Sequence, residues 1–185
     1  MAAAKLFAEE SYHSVGIRDI AKEAGVNSAM ISYYFGGKSG LLREIFSRYA
    51  ALVLEATRAA MGASVDLYDM CDKAVRKLLA SARENRDIYL VGLRQTNHDL
   101  DELRDLREDL NAKGWVIFSE NLQRLDAAGF QDTQIKAVIF TVVMGMIFSD
   151  YLLGGSKYID DDTVVDLYTR AIVGVMKHGL PKLLA

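Results

Sequence analysis

Apolar positions recur along the chain with the helical spacing of three and four residues, and nowhere with a useful strand-like alternation. Ala3, Leu6, Phe7 and Ala8 predict a short first helix. Ile17, Ile20, Ala21 and Ala24 predict a second, ended by Gly25. Met30, Ile31 and Tyr34 predict a third, closed by Gly36 and Gly37. A long fourth carries Leu41, Leu42, Ile45, Phe46, Tyr49, Leu52, Val53 and Ala56 on one stripe and fades near Gly62. About five more follow, over 67–83, from 87 to about 97, then 100–128, 133–153 and 162–178. The fold class is therefore all-α, with about nine helices.

Composition sharpens this. The sequence has 185 residues and a single proline, Pro181, where average usage would place about nine. One cysteine, Cys71, excludes a disulfide framework and a cysteine-based zinc site. The longest uncharged apolar run, Ala137 to Ser149, is too short to cross a bilayer, and the N-terminus does not read as a secretory signal. A cytoplasmic protein without membrane association is expected. Net charge is −3, so nothing global points to nucleic acid. The distribution is uneven: residues 1–50 hold six Lys/Arg against five Asp/Glu, and the remainder holds 16 against 20.

The stretch from Ile17 to Phe35 has the spacing of a helix-turn-helix. Small Ala21 lets two helices cross closely, and Gly25, four residues on, suits a tight turn. Val26 and Ile31 are the expected apolar plugs, and Asn27 or Ser28 is the N-cap of the second helix. Its outward residues Ser28, Ala29, Ser32 and Tyr33 are small or hydrogen-bonding, as a helix in the major groove requires. A plain helical hairpin could share that spacing. Gly37-Lys38-Ser39 imitates the end of a phosphate-binding loop, but Ser32 stands where that loop needs glycine.

Three segments, AAAKLFAEESY, IRDIAKEAGV and SYYFGGKSGLL, together resemble the DNA-binding domain of the TetR family of bacterial transcription regulators. The resemblance covers residues 1 to about 50 and implies a helix-turn-helix domain over 1–45, with a helical effector-binding and dimerisation domain over 46–185. It implies that Asn27, Ser28 and Ala29 face bases or phosphates, and that Tyr33 and Tyr34 offer hydroxyls to phosphates. It also implies that Phe35 turns inward, that Lys38 binds a phosphate at the head of the fourth helix, and that Ile17 and Arg18 meet the flanking backbone. The chain departs from the family pattern at Ser11, Gly16 and Ser32, where Gly, Thr and Tyr are usual. The family also carries about ten further residues, often basic, ahead of AAAKLF, which would add phosphate contacts.

The C-terminal helices support the implied architecture. The segment 133–153 is apolar on all sides and needs cover all round, which a partner subunit supplies. Val138, Val142, Gly145 and Met146, with Tyr168, Ile172 and Val175 of the last helix, are the dimer-interface candidates. Tyr89, Leu93, Trp115, Phe118, Met144, Phe148 and Tyr151 are the effector-pocket candidates, with Arg94 and Asn97 available to orient a polar group. Asp160-Asp161-Asp162 reads as a helix start rather than a metal site, and Cys71 as a helix residue with a redox role as the alternative. No cofactor or metal is expected. Paired carboxylates or an activated nucleophile at helical spacing are not found, which disfavours an enzyme. The expected function is a homodimeric regulator, a repressor released from a near-palindromic duplex operator by a small effector of unspecified identity. An activator or a ligand-independent regulator on the same fold is the alternative.

Overall fold

The computed structural model describes residues 2–96, 100–125, 141, 142, 145 and 158–183. Every regular element among them is helical. The α-helices are α1 (Ala2–Glu9), α2 (Ile17–Ala24), α3 (Ser28–Phe35), α4 (Lys38–Gly62), α5 (Leu67–Glu84), α6 (Arg86–Thr96), α7 (Arg104–Arg124) and α8 (Asp162–Leu183). Short 3-10 turns, Asp101–Leu103 and Tyr158–Asp160, precede α7 and α8. Thr141, Val142 and Gly145 are also helical; the rest of the expected helix over 133–153 lies outside the described residues.

Among the described residues the expected helices and breaks recur, with differences at helix ends. The helix expected from residue 100 begins at Arg104, because Leu100 is extended (φ −84°, ψ 115°) and residues 101–103 form the 3-10 turn. The last helix continues past His178 to Leu183, through Pro181.

The chain divides into two compact units, residues 1–52 with 85–109, and residues 53–84 with 110–185. The division falls inside α4 and inside α7. In the first unit α1 packs on both α2 and α6, and α2 packs on α3. Its core includes Phe7, Ile20, Leu42, Ile45, Phe46, Tyr49 and Tyr89. The Tyr49 and Tyr89 rings meet edge to face at 5.4 Å, a favoured arrangement of aromatic quadrupoles. Tyr49 lies so close to α6 that a Cβ on Gly92 would stand 2.1 Å from its ring, so only glycine fits there.

In the second unit α5 packs on α8. It buries Met70, Cys71, Ala74, Val75, Leu78, Leu79 and Ala82, a stripe of paired positions every four residues. Arg76 bridges to Asp166 at 2.8 Å, and Arg83 to Asp162 at 2.8 Å. Asp161 accepts the Thr163 N–H at 2.9 Å and so caps α8, as the helix-start reading of the aspartates requires. Cys71 is 3% exposed, and burial pushes its thiol up to about 12, which disfavours the thiolate that a redox role needs.

Candidate nucleic-acid interface

α3 is fixed at both ends. The Asn27 side chain accepts the Ala29 N–H at 2.9 Å, which identifies Asn27 as the N-cap. At the other end Gly36 adopts φ 71°, and its N–H returns to the Ser32 carbonyl at 3.0 Å. The turn from α2 into α3 is a Schellman closure. Gly25 sits at φ 67°, with Val26 N–H donating to Ala21 O at 3.0 Å and Gly25 N–H to Lys22 O at 3.3 Å. Ile31 is buried beneath the helix at 4% exposure.

The opposite face is open. Tyr33 is 83% and Tyr34 68% exposed, and their rings meet edge to face at 5.0 Å. Ala29 and Ser32 are exposed beside them, and Ser28 is half-buried. Val26 and Phe35, expected inside, are each 42% exposed. Both residues flank turns whose glycines already close the backbone, so Ile31 alone supplies the buried plug of α3. At the start of α2, Ile17 is half-buried and Arg18 exposed. Gly16 caps α2 through its own backbone, its N–H donating to the Asp19 carboxylate at 2.9 Å. A Cβ there would stand 2.9 Å from that carboxylate, so Asp19 takes the place that a threonine side chain would need.

Lys38 has a role that the sequence did not suggest. Its ammonium donates to the carbonyls of Tyr12 at 2.9 Å and Val15 at 3.0 Å, and lies 4.5 Å over the Tyr12 ring. Two of its three donors therefore close the α1–α2 turn onto the head of α4. The same first turn of α4 also meets α3 closely: a Cβ on Gly40 would fall against the Phe35 carbonyl oxygen.

Further side chains tie these helices to α6 and α7 within the same unit. The Arg43 fork grips both carboxylate oxygens of Asp105, at 2.8 and 2.6 Å, and also reaches the Glu102 carbonyl. That guanidinium holds the Asp105 carboxyl down at about 2. Burial first, then the Glu102 charge, raises the pKa of Tyr12. Arg94 donates from Nη1 to the Phe7 and Ala8 carbonyls at 3.2 and 2.8 Å, neutralising the C-terminal end of α1. Lys5 pairs with Glu23 at 2.7 Å across α1 and α2. Sequence reasoning gave Arg94 to an effector and gave no role to Tyr12, Arg43 or Gly40. The partners of Arg43 and Arg94 lie 59 to 87 residues away, beyond any local pattern.

The remaining candidates are scattered. Tyr89, fully buried, and Leu93, 4% exposed, belong to the first unit's core. Phe118 is buried in the second unit, 6.2 Å from the half-buried Trp115 ring. Met144, Phe148 and Tyr151 lie outside the described residues, as do Asn97, Val138 and Met146. Val142 is 48% exposed and Gly145 exposed. On α8, Val175 is 58% exposed and Tyr168 half-buried, whereas Ile172 is buried in its own chain. Leu167, not singled out before, is 61% exposed on the same stripe as Val175.

Residues 1–45 match the family model described as bacterial regulatory proteins, tetR family. Over 47 residues the chain is 45% identical to the probable HTH-type transcriptional regulator YttP of Bacillus subtilis, a match spanning 25% of this chain and 23% of that protein. It is 28% identical over 133 residues to the HTH-type transcriptional regulator HbdR of Aromatoleum sp., spanning 70% of this chain and 56% of that one. The matches thus span about half or less of those relatives' length. Among solved structures, the transcriptional regulator FadR from Bacillus subtilis in complex with stearoyl-CoA superposes with a TM-score of 0.77 at 18% identity, covering 96% of this chain and 95% of that one. The all-helical fold of such regulators is therefore the fold of this chain.

Proposed function

From the premise that residues 1–45 are a DNA-binding domain of the tetR family, we propose that the protein is a sequence-specific transcriptional regulator that binds duplex DNA as a homodimer. The observation that carries this reading is the capped α3, with Tyr33 and Tyr34 exposed beside Ala29 and Ser32 and no charged side chain between them. Such a helix enters the major groove without burying a charge, reads base edges through its first turn, and meets phosphates through the tyrosine hydroxyls. Asn27, Ser28, Ile17 and Arg18 are proposed to meet bases and backbone on either side. Lys38 acts first as the brace of the α1–α2 turn and keeps one ammonium donor for a phosphate.

Two copies of α3 in successive major grooves read a near-palindromic operator, because a two-fold protein meets a two-fold site. The exposed apolar stripe Leu167 and Val175 on α8 supports a dimer through that helix. Repression relieved by a small effector is the regulatory mode proposed. The stearoyl-CoA held by the similarly folded FadR supports a fold able to house an organic ligand. In this chain Trp115 and Phe118 of the second unit are the described candidates for that pocket. An effector acts only by binding one conformation of the dimer better than the other.

Selection of bound sequences from a random duplex library, at low salt, tests the proposal. Enrichment of an inverted repeat that Tyr33→Ala no longer retains is the expected result. A folded protein that enriches nothing overturns it.

A further inference from the structure

Resting on the proposed DNA binding by α3, we infer that this helix reads its operator through the C5-methyl groups of thymines, covered in the major groove by the Ala29 methyl and the Tyr33 ring. Ala29 and Tyr33 stand one turn apart and, at about 3.6 residues per turn, lie opposite the buried Ile31. They form the outermost ridge of α3. The exposed Met30 and Ser32 flank that ridge on either side.

The chemistry of the ridge selects the base. A specific pair with guanine needs the donors of Arg or Lys, a pair with adenine needs an Asn or Gln amide, and cytosine needs a carboxylate. The sequence of α3, SAMISYYF, contains none of these side chains. Asn27 precedes the helix, but its Oδ1 accepts the Ala29 N–H at 2.9 Å, which takes up the acceptor that a two-point pair with adenine uses. The Ser28 and Ser32 hydroxyls can either donate or accept, so they discriminate little between base edges. Ser32 Oγ also leans back to the Ser28 carbonyl at 3.5 Å. The remaining surface is apolar: the Ala29 methyl, the Met30 thioether and the Tyr33 ring, which the Tyr34 ring braces edge to face at 5.0 Å. Thymine alone among the four bases presents an apolar group in the major groove. A helix with this face distinguishes thymine by covering its methyl and has no comparable means of selecting the other three.

The duplex enriched by the full chain from a random library is the probe, and fluorescence anisotropy measures its affinity. Each symmetric pair of thymines is replaced by deoxyuridine, which removes the methyl and keeps the base pairing. At one or more pairs, binding is expected to weaken about tenfold, the worth of one buried methyl in each half-site. This scan uses the unaltered chain and depends on no variant. Ala29→Gly is expected to bring the thymine-to-deoxyuridine affinity ratio at one such pair to near one, whereas a merely structural loss lowers both affinities alike. 7-Deazaguanine deletes the N7 acceptor that an arginine would use, and is expected to change affinity less than about twofold. An enriched inverted repeat that tolerates deoxyuridine at every pair, a ratio unmoved in a folded Ala29→Gly chain, or a larger loss with 7-deazaguanine would overturn the inference and leave DNA binding by α3 standing. A folded chain that enriches nothing overturns both.

Discussion

At the residue scale, the same chemical group serves different ends according to its neighbours. Lys38 was legible as a cation at a helix head, but two of its three ammonium donors go to the Tyr12 and Val15 carbonyls. Lys38→Met should therefore cost about 1–3 kcal/mol of stability in chemical denaturation, besides any loss of DNA affinity. Tyr33→Ala, at an exposed position, should lose operator affinity with an unchanged denaturation midpoint. The two variants thus separate bracing from contact. Cys71 gives a third check. With its thiol at about 12, it should stay unalkylated by iodoacetamide at pH 8 in the native protein and react promptly once unfolded. Rapid native labelling would reopen the redox reading. Asp105 lies below its unfolded value of about 3.9, so the Arg43 pairing is present above that pH and fades as pH falls through about 2. Arg43→Leu should accordingly destabilise the protein equally at pH 6 and pH 8, measured by urea denaturation, with the difference shrinking only below about pH 4.

At the scale of elements, what the sequence revealed was what local physics decides. Gly25, Asn27 and Gly36 mark helix ends because turns need positive φ and first-turn N–H groups need acceptors. Asn27→Ala should cost about 1 kcal/mol in thermal or chemical unfolding and weaken DNA binding through fraying of α3. Gly40 was in plain view inside a recognised segment, but its reason, contact with the Phe35 carbonyl, exists only once α3 and α4 are folded. Gly40→Ala should cost about 3 kcal/mol or more, because the obstacle is backbone rather than a movable side chain. The 3-10 turn before α7 was hidden for a similar reason. Glu102 and Asp105 look like solvated charges of a helix until Arg43 reaches the carbonyl of one and the carboxylate of the other. Phe35 and Val26 show the converse: apolar character did not ensure burial at a face proposed to meet DNA.

At the scale of the whole molecule, the regulatory proposal requires two copies. Leu167→Glu with Val175→Glu should convert a dimer to a monomer in light scattering and weaken operator binding about a hundredfold, since linked half-sites gain that much from effective concentration. A dimer unaffected by both changes would place the interface elsewhere. The composition of the first unit has a further consequence, for the order in which the chain is made. Residues 1–52 leave the ribosome ahead of residues 85–109, but their aromatic core is closed by Tyr89 and Gly92, and their outer ties by Arg94, Glu102 and Asp105. The reading head therefore cannot mature until about sixty further residues have been translated, and in the interval Phe7 and Tyr49 lack their cover. A chimera that exchanges reading heads by cutting at residue 45 would inherit the same defect permanently, unless the donor's counterpart of residues 85–109 travels with it.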